Sequence, residues 1–522
     1  MSMAKLSRRD VFKVGAALAG GAVLSSMRMS ASNGTRAAGS KPNIIILLFD
    51  AMSARHLSTY GYARGTTPNF ERFAARANVY HSHYSGGNFT SSGTASMLTG
   101  LFPWNHRALS QSAPVKSELA DANIFSMLGQ EYYRLGYTQN PWAQLFLGQF
   151  RAHVDEILPL ASFSFRQLAS TGARFANDPT TAYYAYDELL VSGHQAQGQK
   201  PASLATFLYD KLIHHKLESF ESAQYPIGFP DNNFYQYQLN QVFDGLQKTI
   251  AALAQQSKPY FAYFHMWAPH EPFAPLREFL NQFDAQDPQI PARPQHPLAL
   301  RTVNEKDLRK ERNRYDSYIA SVDYEFGSFL SALEAGGALD DSYLILTSDH
   351  GHLFERGELG HVTPLLYDPV IHIPLLISAP GQSTRNDVYT PTSNADILPT
   401  VLHLAGQPAV GAGLDGIALP LLGGAENVAR PIISVDAKRN SAFLPLKRAS
   451  ISMQKGDWKL IRYAGYPKAS ESFELYNISE DPFEQQNQFQ QSASVSSAMR
   501  EELLSQLAQA DKPFQKGRKN AS

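Results

Sequence analysis

The chain has 522 residues, of which 43% are hydrophobic and 18% charged, and its net charge is −1. This composition predicts a globular protein with room for roughly two to four domains, and gives no reason to expect a nucleic-acid partner. Because the sequence contains no cysteine, disulfides, thiolate nucleophiles, thiolate metal ligands and a lipidated cysteine are excluded.

The first predicted element is an export signal. Arg8 and Arg9 precede a short stretch of small and apolar residues in "SRRDVFKVGAALAGGAVLSS", a pattern typical of a twin-arginine signal. The stretch is too short and too rich in Gly and Ala to favour a membrane anchor. We therefore expect residues 1–40 to be a signal and linker that the twin-arginine export machinery reads. Cleavage between Ala31 and Lys41 then leaves a periplasmic or extracellular protein without a membrane span.

Four continuous apolar runs predict strands that are buried on both faces of a sheet. They span residues 43–50, 260–267, 342–351 and 372–378. Residues 66–78 and 394–406 predict helices, the second of which ends at a glycine. Strands that alternate with helices predict a mostly parallel α/β sheet.

The pattern changes from about Arg430 onward. Short runs at 430–436, 450–465 and 472–479 predict strands around turns, and 496–510 predicts an amphipathic closing helix. These short strands separated by turns predict a smaller antiparallel unit. We expect a catalytic α/β domain at residues 41–425 and a C-terminal antiparallel sheet subdomain with its closing helix at 426–522.

Hard metal ligands stand at the carboxyl ends of two predicted strands. Asp50 ends the first strand, and Asp349 with His350 ends the strand within 342–351. Parallel sheets bind ligands beyond the carboxyl ends of their strands, so these side chains are expected to meet. Aspartates with a neutral imidazole suit one divalent cation, Ca²⁺, Mn²⁺, Mg²⁺ or Zn²⁺. Taken singly, Asp50 also fits a helix cap, and "SDHG" a polar turn.

The order of these motifs resembles the sulfatase family of the alkaline phosphatase superfamily. The opening "PNIIILLFDAMSARHLSTYGYARGTTPNFERFA" is similar to the family's first segment. The later motifs follow in the family's order: "MLTGLFP", "YFAYFHMWAPHEPF", "LILTSDHG", "LYDPVIHIPLLISAPG", "NADILPTVLHLAG", "GDWKLIRY" and "FELYNISEDPFEQQN". The resemblance implies an alkaline-phosphatase-like α/β/α sandwich on a mostly parallel sheet, with a small C-terminal antiparallel α+β subdomain.

The stretch "NFTSSGTASMLTG", which begins at Asn88, is rich in hydroxyl groups and carries no charge. Alone, it predicts a solvated turn. In the sulfatase family the corresponding loop reads Cys/Ser-x-Pro-x-Arg, and its first residue becomes a formylglycine that attacks sulfate esters. The resemblance places Thr90 in that position, Ser92 in place of the proline and Thr94 in place of the arginine. Threonine does not become formylglycine by the known route.

Threonine nucleophiles are known elsewhere in the superfamily, in phosphodiesterases, phosphatases and phosphoglycerol or phosphoethanolamine transferases. The resemblance therefore implies Thr90 as the nucleophile and as a fourth metal ligand beside Asp50, Asp349 and His350. A metal at the hydroxyl oxygen lowers its pKa. The "GKxH" stretch common in sulfatases is absent, since this chain reads "LGYTQNPW", with Asn140 or its neighbours in its place.

Two further histidines match family positions near the ester. His270, in "PHEPF", matches a histidine that contacts the ester, and His361, in "ELGHVTPLLYD", stands where the family has a lysine or histidine. Both suit general-acid catalysis near neutral pH; a packed loop histidine and a surface histidine are the alternatives. His265 is expected in the core. Arg107 either supplies positive charge or forms a structural ion pair. Without an Asp-x-x-x-His pair, one cation is expected.

These observations favour an exported, metal-dependent ester hydrolase or transferase of the sulfatase family. We expect it to act on a phosphodiester, phosphomonoester or phosphonate through a covalent phosphothreonine at Thr90. We expect the substrate to be a small-molecule ester or an ester of a glycan or lipid headgroup. Two alternatives stay open: a sulfuric ester hydrolase that works without formylglycine, and a catalytically silent binding protein that keeps the sulfatase fold.

Overall fold

The computed structural model describes residues 41–167, 223–300, 302–407, 413–467 and 469–515. The predicted export signal lies outside the described residues. None of the helices within the described ranges is long and apolar enough to cross a membrane.

The strands within these ranges are β1 (Asn43–Phe49), β2 (Asn78–Tyr80), β3 (His83–Tyr84), β4 (Tyr133–Thr138), β5 (Glu156–Ile157), β6 (Ser164–Gln167), β7 (Tyr235–Tyr237), β8 (Tyr260–Met266), β9 (Ser342–Ser348), β10 (Leu353–Glu355), β11 (Glu358–Gly360), β12 (Leu375–Ser378), β13 (Asn386–Val388), β14 (Thr392–Ser393), β15 (Ile432–Asp436), β16 (Ala449–Lys455), β17 (Trp458–Tyr466) and β18 (Ala469–Asn477). The α-helices are α1 (Pro68–Ala74), α2 (Thr90–Thr99), α3 (Pro103–His106), α4 (Ile124–Leu128), α5 (Pro141–Gln149), α6 (Leu239–Ala254), α7 (Glu305–Ala335), α8 (Asp368–Ile371), α9 (Ile397–Leu404) and α10 (Ala493–Asp511). Short 3₁₀ helices span Ala54–His56, Ser58–Tyr60, Ser117–Ala120, Gly129–Glu131, Arg151–His153, Asn394–Asp396 and Lys512–Phe514.

An eight-stranded sheet forms the centre of the described structure, in the order β13–β2–β12–β9–β1–β8–β4–β5. β1 pairs in parallel with β8 and β9, and β4 pairs in parallel with β8 and β5. The predicted mostly parallel sheet is confirmed. The strand predicted at 372–378 is shorter and runs antiparallel to β9. It begins at Leu375 because the preceding Pro374 has no N–H to donate to a ladder.

Helices cover both faces of this sheet, which confirms the α/β/α sandwich. All seven residues of β1 are buried. Ile45 and Leu47 pack in one layer with residues of α6 and α7, whereas Ile46 and Leu48 pack in the opposite layer with α2 and α9. Each such side chain contributes roughly 1.5–3 kcal/mol by leaving water. This central position fixes where β1 ends and therefore where Asp50 lies.

The C-terminal part contains the predicted antiparallel sheet, in the order β15–β16–β17–β18. Gly456, between β16 and β17, has a φ of +56°, which glycine adopts without strain. Helix α10 closes the sheet by packing Met499, Leu503 and Leu507 in one apolar cluster with Ile433 of β15. The small α+β subdomain expected from the sequence is confirmed.

The hydroxyl-rich stretch is a buried helix, α2, and not the loop expected from its composition. A Cβ on Gly93 would lie 2.0 Å from the carbonyl oxygen of Asp349, so no side chain fits at this crossing. The Ser85 hydroxyl donates to the same carbonyl oxygen, and the Asn394 amide donates to the Gly93 carbonyl at 2.7 Å. Small residues let α2 approach β9 closely, which brings Thr90, in its first turn, to the carboxyl end of that strand.

Arg107 has a structural role, which decides between the two alternatives for this residue. It is 1% exposed and donates to the Asp511 carboxylate at 3.0 Å. It also donates to the carbonyl oxygens of Leu444 at 3.1 Å and Ala510 at 3.3 Å. The guanidinium carbon lies 3.5 Å from the centroid of the Phe514 ring. Arg107 therefore joins the segment after α3 to the C-terminal helix.

We expect Arg107→Met to lower the free energy of unfolding by about 3–5 kcal/mol, because it leaves the Asp511 carboxylate buried without its partner. Urea denaturation of the metal-loaded protein measures this change. Arg309→Met, at an exposed position, is the control and is expected to change stability by less than about 0.5 kcal/mol. Equal denaturation midpoints for the two variants would show that the buried ion pair has no such role.

Candidate active site

The candidate site lies at the carboxyl ends of β1, β8 and β9. Asp50 follows β1, Asp349 and His350 follow β9, and Thr90 begins α2; all four are buried. The Thr90 Oγ1 lies 3.5 Å from the Nε2 of His350. The same Nε2 lies 3.4 Å from Asp50 Oδ1 and 3.7 Å from Asp349 Oδ2. The structure thus brings together the four side chains predicted to hold a metal, and their role as ligands stays a prediction.

The polar atoms of this group fit a divalent cation. Asp50 Oδ1 and Asp349 Oδ2 are buried and have no hydrogen-bond partner among the described residues. Asp349 Oδ1, by contrast, accepts from the backbone N–H groups of Ala51 at 3.2 Å and His350 at 2.9 Å. A buried carboxylate oxygen without a donor is costly. His350 Nδ1 donates to the Gly351 carbonyl at 2.9 Å, so its Nε2 presents the lone pair that a metal needs.

The electrostatics of the group also favour a cation. In the metal-free site burial alone would raise the pKa of Asp50, but the charge of His270 and the hydrogen bond from His265 hold this pKa well below its ordinary value. Burial and the charge of Asp50 raise the pKa of Asp349. Burial lowers the pKa of His350, but Asp349 and Asp50 outweigh it and raise this pKa to about 9. A divalent cation takes the place of protons in such a site.

His265 is a site residue that the sequence analysis missed. It is fully buried, as expected of a core residue, but its Nε2 lies 3.2 Å from Asp50 Oδ2 and 3.8 Å from Asp349 Oδ2. Asp50, His265 and Asp349 each offer a ligand atom within 4.8 Å of the others. His265 pairs with Leu48 near the end of β1. Its signal in the sequence is a polar residue near the carboxyl end of an apolar strand, a position comparable with that of Asp50.

We expect His265→Gln to weaken binding of a divalent cation by about 10–100-fold, the usual effect of removing an imidazole that holds or orients a metal site. Competition with a chromophoric chelator measures the dissociation constant. His106→Gln is the matched control, because the His106 imidazole is also buried but bonds to the Ser96 hydroxyl and the Ala108 N–H. An unchanged dissociation constant in His265→Gln would exclude His265 from the metal site.

Asn140, in the segment "LGYTQNPW", links Thr90 to Asp50 at the end of the first strand. Its Oδ1 accepts from the backbone N–H groups of Trp142 at 2.8 Å and Ala143 at 3.4 Å, and thereby caps α5. This cap fixes the direction of its Nδ2, which donates to Asp50 Oδ2 at 2.5 Å and to Thr90 Oγ1 at 3.1 Å. A donor at Oγ1 favours the ionised form of the hydroxyl.

His270 and His361 line the same pocket as Thr90, a cavity of about 190 Å³. Trp142 and Trp267 form part of its wall. A larger cavity of about 620 Å³ shares His361 and two neighbouring lining residues with it. His361 is buried, which rules out the alternative that it is a surface histidine. Burial and the charge of the neighbouring His350 lower the pKa of His361 well below its ordinary value. Both imidazoles line the pocket that Thr90 also lines, and their catalytic roles stay predictions.

Comparisons with known proteins agree with this geometry. The sulfatase family profile matches residues 42–407, and the profile described as N-sulphoglucosamine sulphohydrolase, C-terminal, matches residues 357–512. The choline-sulfatase of Rhizobium meliloti (strain 1021) is 24% identical over 473 residues, covering 86% of this chain and 82% of that protein.

Solved structures show the same fold. The phosphonate monoester hydrolase of Agrobacterium radiobacter superposes with a TM-score of 0.60 at 22% identity, covering 90% of this chain and 96% of that one. The phosphonate monoester hydrolase SpPMH from Silicibacter pomeroyi gives a TM-score of 0.61 at 19% identity, covering 91% and 97%. Because the sulfatase profile spans most of the sequence and its relatives cleave ester bonds, the chain belongs to the sulfatase family and is an ester-bond hydrolase.

Proposed function

We propose that the chain is a metal-dependent phosphoester hydrolase or phosphotransferase whose nucleophile is Thr90. The observation that carries this proposal is the position of one hydroxyl. Thr90 Oγ1 accepts a hydrogen bond from Asn140 and lies 3.5 Å from His350 Nε2. It also faces the pocket that His270 and His361 line. A nucleophile, candidate metal ligands and two imidazoles therefore meet at one point.

In this proposal the cation binds at Asp50 Oδ1 and Asp349 Oδ2, the two buried carboxylate oxygens that have no hydrogen-bond partner among the described residues. Asp50, Asp349, His350 and Thr90 supply its ligands in this proposal, with His265 either as a further ligand or as a support for the carboxylates. When bound, a divalent cation lowers the pKa of the hydroxyl beside it and offsets the negative charge of a phosphoryl group. The mixture of carboxylates and imidazoles suits Mn²⁺ or Zn²⁺ better than Mg²⁺ or Ca²⁺.

The start of α2 favours an anionic group next to Thr90. The residue before the helix, Phe89, forms no side-chain cap, so the N–H groups of the first turn depend on another acceptor. Phosphoryl oxygens are suitable acceptors at a helix N-terminus. The nucleophile is thus held beside donors that stabilise the group it attacks.

The reaction proceeds in two displacements at phosphorus. The Thr90 Oγ1 forms a bond to phosphorus and gives its proton to solvent. The bond between phosphorus and the alcohol oxygen breaks, and that oxygen takes a proton from solvent. His270 and His361 face the leaving oxygen and stabilise the charge that develops there. In the second step a water or an acceptor alcohol attacks phosphorus, the bond to Oγ1 breaks, and Oγ1 regains a proton.

Sulfate ester hydrolysis is the second candidate, because the choline-sulfatase relative acts on a sulfate ester by its name. Threonine, however, carries a single hydroxyl on its Cβ, so it has none of the aldehyde chemistry of formylglycine. The covalent ester must be opened by attack from outside, and this step is well suited to a phosphothreonine. Phosphorus is therefore preferred.

A substrate panel tests the proposal. The protein, loaded with Mn²⁺ or Zn²⁺ and then treated with EDTA as the metal-free control, is assayed on p-nitrophenyl phosphate, bis-p-nitrophenyl phosphate, p-nitrophenyl phenylphosphonate and p-nitrophenyl sulfate. We expect metal-dependent release from at least one phosphorus ester and slower release from the sulfate. Faster turnover of the sulfate ester than of all three phosphorus esters would overturn the preference.

Export by the twin-arginine route is part of the proposal, supported by Arg8 and Arg9 ahead of the small-residue apolar stretch. Cell fractionation tests it. We expect the protein to be exported, and expect the double replacement Arg8→Lys with Arg9→Lys to retain it in the cytoplasm. Equal export of both forms would contradict this route.

A further inference from the structure

Four imidazoles form a cluster next to the proposed nucleophile, and three of them are not among the proposed ligands of the first cation. The ring centroid of His361 lies 4.9 Å from that of His270, 4.4 Å from that of His350 and 5.6 Å from that of His352. The Glu271 carboxylate lies 3.3 Å from the Nε2 of His352. Positively charged imidazoles repel one another at such distances, so the cluster is best suited to neutral rings.

Three side chains of this cluster converge as ligands would. His270, Glu271 and His361 each offer one ligand atom, and these atoms all lie within 4.8 Å of one another. The Nδ1 of His270 lies 2.7 Å from the Glu271 carbonyl oxygen. A carbonyl oxygen only accepts, so this nitrogen carries the proton and Nε2 keeps its lone pair. The buried Nδ1 of His361 has no hydrogen-bond partner among the described residues.

This group differs from the one at the strand ends. Asp50, His265 and Asp349 form a separate convergent set. The two sets adjoin, because the His361 ring stacks on the His350 ring. Two imidazoles and a carboxylate are a ligand set that Zn²⁺ accepts with positions left open for water or substrate.

We propose that His270, Glu271 and His361 bind a second divalent cation, so that the site holds two cations and not the one expected from the sequence. The inference rests on the proposed function, since it explains how His270 and His361 act on the leaving oxygen. Two neighbouring cations suit phosphoryl transfer, because one stabilises the attacking oxygen and the other the leaving oxygen. The imidazoles then act as ligands, and not as the proton donors expected above.

Metal stoichiometry tests the second site independently of activity. The protein is loaded with Zn²⁺ or Co²⁺ and freed of weakly bound metal by gel filtration. Bound metal is counted by mass spectrometry, and the Co²⁺ form is also followed by its visible spectrum. We expect two equivalents in the unaltered protein and one in Glu271→Gln and in His361→Gln. His153→Gln, at a partly exposed histidine outside the site, is the control and is expected to keep two.

The remaining outcomes separate this inference from the function on which it rests. One equivalent that Asp349→Asn removes and His361→Gln retains would overturn the second site and leave the first intact. Two equivalents that survive both Glu271→Gln and His361→Gln would also overturn it. No tightly bound metal in the unaltered protein would overturn both assignments. Thermal unfolding of each variant shows whether a lost equivalent reflects a lost ligand or a lost fold.

Discussion

Thr90→Ala lowers kcat/KM for the phosphorus ester that the protein cleaves by at least about 10³-fold, if the hydroxyl is the nucleophile. The variant keeps the candidate metal ligands at the ends of β1 and β9. It loses the Thr90 oxygen, which is both the proposed nucleophile and the proposed fourth ligand. Its fold is expected to persist, because alanine favours the helix that begins at this residue. The measurement is the initial rate on the best substrate of the panel, with metal content counted in the same preparation.

Two controls give this result its meaning. Thr90→Ser retains a hydroxyl at the same position, so we expect it to keep measurable activity. Ser91→Ala removes the neighbouring hydroxyl, which donates to the Gln111 carbonyl at 2.6 Å and serves as a structural group. We expect this variant to remain active within about tenfold. Equal losses in Thr90→Ala and Ser91→Ala would mean that the start of α2 is a structural element, with the nucleophile elsewhere.

Asp349→Asn is expected to have the second large effect, on metal binding and on stability together. The unaltered protein gains about 4 kcal/mol of stability when the free cation is 1,000 times its dissociation constant, because only the folded chain forms the site. The variant has lost one of the two orphaned carboxylate oxygens and gains far less. Thermal unfolding with and without EDTA measures the stability gained from the cation in the unaltered protein and in Asp349→Asn. An equal EDTA effect on the two proteins would place the cation away from Asp349.

The metal-free forms give a pH dependence of definite sign. Burial and the charge of Asp50 raise the pKa of Asp349 in the folded state, so this group costs stability once the pH exceeds its unfolded value, about 3.9. We expect the metal-free protein to lose stability relative to Asp349→Asn as the pH rises from that value through the raised pKa. Urea denaturation in EDTA at a series of pH values measures the difference. A difference that does not change with pH would contradict the raised pKa.

The parts of the fold that the sequence predicts well are those that local patterns determine. After Asn43, the run of β1 is apolar up to Phe49, so both the burial of the strand and the position of Asp50 follow from the sequence alone. In β9 the apolar core is shorter, Leu344 to Leu346, and Asp349 comes directly after the last residue of the strand. The meeting of Asp50 and Asp349 follows from a general property of parallel sheets.

Tertiary contacts determine the parts that the sequence does not reveal. Helix α2 consists of small and hydroxyl residues that favour turns, and its helical form depends on the close crossing of Gly93 with Asp349. Helix α7 has 31 residues, and its charged first turns give no apolar stripe until Tyr315 and Tyr318 become buried against neighbouring elements. The composition of these segments predicts neither the burial of α2 nor the burial of the two tyrosines of α7.

Two site features were missed for separate reasons. His265 lies inside a fully buried strand, one residue before its end, and this position is equally typical of a core histidine. The group of His270, Glu271 and His361 carries no recognisable spacing, because two of its members are adjacent and the third is far along the chain. Only the folded structure brings these ligand atoms together.

Trapping the covalent intermediate tests the central claim most directly. The metal-loaded protein is mixed with the best phosphorus ester, stopped in acid within the first turnover, digested and examined by peptide mass spectrometry. The account predicts a phosphoryl group on Thr90, which disappears once the substrate has been consumed and is absent from Thr90→Ala. An unmodified Thr90 throughout turnover, together with an active Thr90→Ala variant, would contradict the account.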